Sequence, residues 1–400
     1  MIFTLQSVTT LAFELAATPV LAASAYLTTL SLFSSRRATF HGGSAARFDV
    51  IVPAHDEERG IQATIISLLS MDYDIQSFRI LVVADNCKDN TAALARSAGA
   101  TVIERNDPTH RGKGYALAAG YKQSLADGFA DAVLVVDADS VVSKNLLTAF
   151  ASRMDSGTEA MQAEYGVRNA NASWRTRLMV IAFALFHTLR SLGRERLGLS
   201  CGLRGNGMAL STDVLRGVPP EAFSLVEDVE YGILLGLAGT RVAYVHEAQV
   251  LGEIPASAAD SRSQRERWES GRLALAKKYL PTLLRTSLYR RDPILLDLAL
   301  DLAVPPLTVV FLLAIGGTAV ATIAFIHAAI TGAGLACWLA ALAGLAIYIA
   351  RGVAVSGMGP RAALDLLGAP FYIFWKLALL GRTKSPDSTE WVRTARTDAP

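Results

Sequence analysis

The sequence predicts an α/β domain built on a mostly parallel sheet and flanked by transmembrane and interfacial helices. Three observations carry that expectation. Apolar runs long enough to cross a bilayer stand near both ends of the 400-residue chain, of which only 18% is charged. Between them, "FDVIVP", "RILVVAD" and "AVLVVDAD" are nearly all-apolar runs, the pattern of strands in a sheet buried on both faces. The segments that separate these strands, "EERGIQATIISLLSM", "DNTAALARSAG" and "GKGYALAAGYKQSLAD", have helical periodicity. Strand and helix therefore alternate as right-handed βαβ crossovers of a doubly wound sheet, whose ligands sit at the carboxyl ends of the strands.

Taken in order, the first element is "LQSVTTLAFELAATPVLAASAYLTTLSLF", a spanning segment interrupted by Glu14 and Pro19. "LAASA" resembles a signal-peptidase site, but no basic region precedes the apolar run, so residues 1–35 are expected to form an uncleaved anchor. Arg36 and Arg37 follow directly, which places the next domain, residues 36–292, in the cytoplasm by the positive-inside rule. Residues 293–382 read as a second membrane region, with spans at about Leu302–Ile330, which contains Pro305 and Pro306, and Ala333–Ala350. Arg290, Arg291 and Arg351 put both outer ends of this pair on the cytoplasmic side. "ALDLLGAPFYIFWKLALLG" suits an interfacial helix, and residues 383–400 are expected to form a cytosolic tail. "WRTRLMVIAFALFHTLRSLGRERLG", inside the α/β region, reads equally as an amphipathic surface helix or a core helix.

Composition narrows the function. A net charge of +2 with no basic tract interleaved with aromatics argues against nucleic acid as a partner. Three widely spaced cysteines, Cys87, Cys201 and Cys337, fit neither a disulfide framework nor a zinc site. About three spans without a paired intramembrane charge, Glu14 apart, argue against a transporter.

The polar residues at the strand ends carry the chemistry. Asp137 and Asp139 in "VVDADS" stand two apart, and a strand period of two would point both the same way; hard divalent cations take such carboxylates, and so does solvent. Asp85 in "ADNCKDNT" suits either a nucleobase or ribose donor or a helix cap, and Lys113 in "RGKGYAL" either a phosphate or the surface. His55, His110 and His246 lack metal-ligand spacing. In "SQRERWESGRL", Gln264, Arg267, Trp268 and Gly271 share one helical stripe, placing guanidinium, amide and indole together; a salt-bridged amphipathic helix has the same pattern. Glu227 and Asp228 open an apolar helix about 100° apart, so one would serve as base while the other orients it or caps the helix.

In order, "VPAHDEE", "VVADNCKDNT", "VVDADS", "RGNGMAL", "SLVEDVEYG" and "QRERW" resemble the membrane-embedded family 2 glycosyltransferases, which include cellulose, hyaluronan and poly-N-acetylglucosamine synthases. The resemblance covers about Phe48 to Gly271 and extends to the flanking membrane segments. It implies a GT-A (Rossmann-like) fold, Mg2+ or Mn2+ as cofactor, a UDP-sugar as donor, and a lipid-linked or polysaccharide acceptor at the inner membrane. By the same likeness Pro53, His55, Glu57, Asp85, Lys113, Asp137 and Arg267 would contact the donor and Asp139 the metal. Asp228 would be the general base, and Gln264 and Trp268 would bind the acceptor. Trp391, Thr394 and Arg396 in "TEWVRTAR" resemble a gating loop. Two departures stand out: Val226 replaces the threonine that usually precedes the acid pair, and the membrane region is shorter than in cellulose synthases. The implied activity is inverting sugar transfer in exopolysaccharide or cell-surface glycan synthesis. The alternatives are a ceramide- or hopanoid-type lipid glycosyltransferase and a non-catalytic nucleotide-sugar-binding subunit of a secretion complex.

Overall fold

The computed structural model describes residues 5–36, 46–254 and 260–371, with residues 260–266 described as backbone alone. The chain opens on α1 (Leu5–Leu32) and enters the sheet through β1 (Phe48–Ala54), α2 (Ile61–Leu69), β2 (Phe78–Asp85), α3 (Thr91–Ser97), β3 (Thr101–Arg105), α4 (Lys113–Asp127) and β4 (Ala132–Val135). These strands are the predicted apolar runs, paired in parallel with Phe48 opposite both Phe78 and Ala132. Their side chains feed one core on each face, Val50, Val52 and Leu134 on one side and Ile51, Leu81 and Val133 on the other.

The second half of the sheet is mixed. It comprises β5 (Val141–Val142), α5 (Leu146–Asp155), β6 (Ala160–Val167), α6 (Trp174–Phe183), α7 (Arg190–Leu197), β7 (Met208–Ser211), α8 (Thr212–Gly217), α9 (Glu227–Leu237) and β8 (Val242–Gly252). The strand order is β3-β2-β1-β4-β7-β6-β8-β5, with β7 antiparallel to both β4 and β6. Pairing of β1 with β4 stops at Ile51 opposite Val135, whereas β1 stays paired to β2 as far as Ala54. A crevice therefore opens at the carboxyl end of the sheet, beside the imino nitrogen of Pro53, which has no hydrogen to give a ladder.

The remaining helices are α10 (Asp260–Arg290), α11 (Pro293–Ala303), α12 (Leu307–Ile326), α13 (Gly332–Val355) and α14 (Arg361–Leu366). Among the described residues three helices, α1, α12 and α13, are long and apolar enough to cross a membrane. The expected span at Leu302–Ile330 is shorter than anticipated, because Pro305 and Pro306 end α11 and α12 begins only after them. Thr331 N–H donates to Thr10 Oγ1 (2.9 Å) and Arg351 Nη2 to Ser34 Oγ (3.2 Å), so α1 and α13 run parallel. Small residues allow the contact: a Cβ on Gly344 would lie 2.4 Å from Ser24 Oγ.

α6, a π-helical turn over Ala184–Leu189 and α7 form one rod that packs against β6 on one side and α1 and α13 on the other. It seats the sheet on the membrane bundle, and its Leu178, Ile181, Leu185 and Leu189 are buried with α1 and α13 residues, in keeping with the core-helix reading of this segment. Only the start of the expected interfacial helix is described, as α14, tied to α6 by Arg177 Nε to Asp365 Oδ1 at 2.8 Å.

Candidate active site

Asp137 and Asp139 lie beyond the end of β4, in the turn that follows it, so strand alternation does not aim them. A buried amide does. Asn206, 1% exposed, accepts the Asp137 N–H at Oδ1 (3.1 Å) and donates from Nδ2 to Ser140 Oγ (2.8 Å), which in turn donates to Asp139 Oδ1 (3.2 Å). The Asn206 loop is itself fixed by Gln162, whose Nε2 donates to Asn206 O (2.7 Å) and whose Oε1 accepts Arg204 N–H (2.8 Å). Gly205 and Gly207 take φ of +74° and +71°, the left-handed region that favours glycine. Sequence reasoning did not place Asn206 or Gln162 in the site. An asparagine between two glycines was the readable signal for the first; nothing local marks the second.

Lys113 begins α4 and reaches across the crevice, with Nζ 2.5 Å from Asp137 Oδ1 and donating to Gly205 O at 2.7 Å. A Cβ on Gly205 would lie 3.2 Å from Asp228 Oδ2 and 3.4 Å from Lys113 Nζ. Asp137, Lys113, Gly205 and Asp228 thus meet at one point from four separate parts of the chain. Burial opposes the charge on Lys113, but Asp137, Glu227 and Asp228 outweigh it and keep the amine protonated. Burial raises both Glu227, to about 7, and Asp228, while Lys113 pulls each back. Both carboxyls lie within electrostatic reach of Lys113; Glu227 also reaches Asp137 and Arg267, and Asp228 also reaches Arg204. Tyr165, on β6, lies within electrostatic reach of Asp137, Asp139 and Asp228 together.

α10 closes the site. A Cβ on Gly271 would lie 2.9 Å from Val226 Cγ2, so glycine is what lets α10 approach the residue before the acid pair. One turn earlier, Arg267 lies within reach of Glu227, and Trp268 is 39% exposed. Gln264 belongs to the same helix, but its side chain lies outside the described residues, as do Trp391, Thr394 and Arg396.

The far end of the crevice is formed by the loops after β1 and β2. Asp85 is 1% exposed; its Oδ1 accepts from Arg105 Nη1 (2.6 Å) and Asn86 Nδ2 (3.0 Å), while Oδ2 is buried with no partner among the described residues. His55 Nδ1–H donates to Asp85 O (2.7 Å), Glu57 N–H donates to Thr91 Oγ1 (2.8 Å), and Pro53 is buried opposite Val83. Asp56, Cys87 and Asp89 also cluster here, with ligand atoms within 4.8 Å of one another. Their chemistry is that of a loop clasp: Asp56 accepts Lys88 N–H (2.6 Å), Asp89 accepts the N–H groups of Glu58 (3.1 Å) and Thr91 (3.0 Å), and burial pushes the Cys87 thiol up to about 11.

Residues 46–271, the span that builds this site, match the family model described as glycosyltransferase like family 2. The chain belongs to that family. This family 2 glycosyltransferase is 24% identical over 261 residues to a probable glycosyltransferase, YdaM, of Bacillus subtilis, covering 63% of this chain and 60% of that protein. It is 29% identical over 238 residues to an N-acetylglucosaminyltransferase of Rhizobium meliloti, covering 55% and 54% respectively. The chain therefore spans little more than half the length of these relatives. Among solved structures it resembles the mannosyltransferase PcManGT of Pyrobaculum calidifontis, in complex with GDP-Man and Mn2+, with a TM-score of 0.52 and 15% identity. That match covers 93% of this chain and 100% of the other, and identifies the fold as GT-A.

Proposed function

We propose that this enzyme is an inverting, metal-dependent glycosyltransferase that moves a sugar from a nucleotide-diphosphate sugar, a UDP-sugar, to a membrane-associated acceptor in exopolysaccharide or cell-surface glycan synthesis. The meeting of Asp137, Lys113, Gly205 and Asp228, with Arg267 within electrostatic reach of Glu227 beside them, carries this reading. The donor set fits a hard divalent cation: Asp137, Asp139, Glu227 and Asp228 concentrate carboxylate oxygens near the cations Lys113 and Arg267, and acids outnumber bases there. Asp139 would hold Mg2+ or Mn2+, which when bound supplies charge neutralisation to the departing nucleotide diphosphate.

The chain's own residues do the rest. Asp85 presents its buried, unpartnered Oδ2 to a nucleobase or ribose donor, with Pro53, His55 and Glu57 beside it at the end of β1. Asp137 and Lys113 position the nucleotide, and Arg267 holds the diphosphate charge as it develops. Gln264 and Trp268 shape the acceptor end. Asp228 accepts the proton of the acceptor hydroxyl while that oxygen attacks the anomeric carbon from the face opposite the diphosphate, which gives a β-linked product from an α-linked donor. Glu227, one position earlier on α9, orients Arg267.

The parallel α1 and α13 put Arg36 and Arg351 at one end of the bundle, and by the positive-inside rule that end, with the catalytic domain, faces the cytoplasm at the inner membrane. The test is Asp228→Asn in membrane vesicles with labelled donor sugar. Transfer is expected to fall by ~10²–10⁴-fold, the worth of general base catalysis, with nucleotide binding intact. Wild-type turnover in the variant removes Asp228 from the role.

A further inference from the structure

Arg204 was in none of the expected roles, yet it lies within electrostatic reach of Asp228. Its guanidinium lies 4.8 Å from the ring centroid of Phe186, on the π-helical turn, and donates from Nη2 to Cys201 O (3.0 Å). Its Nε–H is buried without an acceptor among the described residues. The guanidiniums of Arg190 and Arg272 approach the same ring at 4.7 and 5.7 Å. Asp301 balances the neighbours, pairing with Arg190 at 3.1 Å and Arg272 at 3.6 Å, but Arg204 has no carboxylate within ion-pair distance among the described residues. A buried Nε–H without an acceptor, on a guanidinium that Asp301 and Asp228 reach only from beyond ion-pair distance, calls for an anionic acceptor of hydrogen bonds.

The position says which end of an anion can arrive. Arg190 Nε donates to Tyr348 Oη (2.9 Å), and that hydroxyl donates to Leu185 O (2.7 Å), so the cluster is joined directly to α13 of the membrane bundle. An amphiphile whose chains lie along these helices would present its head group to Arg204. We propose that Arg204, braced on Phe186, is the phosphate subsite of the acceptor, and that the acceptor is a phosphate-bearing lipid whose head-group hydroxyl is delivered to Asp228. This rests on the proposed transferase reading and deepens it by choosing the acceptor class.

The test compares two probes that share chains and hydroxyls and differ in the phosphate: dioctanoyl phosphatidylglycerol and dioctanoylglycerol, each titrated into the full chain in uncharged detergent, with UDP binding measured in parallel. The wild-type protein is expected to prefer the phospholipid by about tenfold or more, the size of a hydrogen bond to a charged group. Arg204→Gln is expected to abolish that preference and leave UDP affinity unchanged. Equal affinity of the wild type for both probes overturns the proposal whatever the variant does. So does loss of UDP binding in Arg204→Gln, which would place the residue on the donor or in the fold. Displacement of the phospholipid by an equal concentration of inorganic phosphate would make this a free-phosphate site and overturn the lipid assignment. These are binding measurements, so failure of the transferase reading would appear separately, as absent sugar transfer in the Asp228 experiment.

Discussion

Gly271 gives the most direct handle on how the fold serves the site. Replacing it with alanine would put a Cβ 2.9 and 3.1 Å from the two Cγ atoms of Val226, and 3.5 Å from Leu225 Cβ. Carbon atoms rest about 3.5–4.0 Å apart, so α10 must retreat by roughly 0.5–1 Å. Val226 cannot yield easily, being 5% exposed and β-branched. Overpacking of this kind costs ~1–3 kcal/mol, of which the better helix propensity of alanine returns about 1 kcal/mol, so global stability should fall only slightly. The functional loss is larger. Arg267 and Trp268 ride on the same helix one turn away, and a misplacement of about 1 Å at a reacting centre costs on the order of 10²-fold in rate. The expected result for Gly271→Ala is a fall in kcat/KM of ~10–100-fold, read from labelled-sugar incorporation in vesicles, with a nearly unchanged thermal transition. Adding Val226→Ala removes both clashing Cγ atoms and should restore kcat/KM to within about threefold of the Val226→Ala protein. A single variant with normal activity, or a double variant no better than the single, would refute the idea that α10 packing sets the position of Arg267.

Three further outcomes are expected. Burial raises Asp228 and its neighbour Glu227, the latter to about 7; since the base works deprotonated, kcat/KM should be lost, as pH falls, at a higher pH than an ordinary aspartate would set. The same raised values mean that the folded protein binds these protons more tightly than the unfolded chain, so mild acid should silence transfer while circular dichroism stays native. Asn206→Ala frees the turn bearing Asp137 and Asp139, and should raise the Mn2+ concentration for half-maximal activity by roughly tenfold, with the thermal transition showing whether the loop still folds. Asp85→Asn alters the buried carboxylate end and should weaken UDP binding by about tenfold by calorimetry without changing the metal requirement.

Local pattern was enough for what local pattern encodes. β1, β2 and the start of β4 were legible because both faces of the parallel half are buried and its strands are almost wholly apolar. The membrane helices were legible because length and hydropathy alone define a span, and the Pro305–Pro306 pair that shortens α12 was visible though its effect was not drawn. The position of the acid pair at the opening of α9 was legible too, in the polar residues that precede an apolar helical run.

Tertiary structure decided what those residues do. Asp137 and Asp139 are aimed by Asn206 rather than by strand alternation, and Asn206 is held by Gln162 from another strand. Arg204 and Phe186 acquire meaning only where the π-helical rod meets the sheet and the membrane bundle. The reason is physical: periodicity and hydropathy are sums over neighbours in the chain, whereas electrostatics and buried hydrogen bonds depend on distances between residues far apart in it. The sequence by itself determined which elements form and where the charged groups sit along them; only the packed fold determined which charges share a cavity.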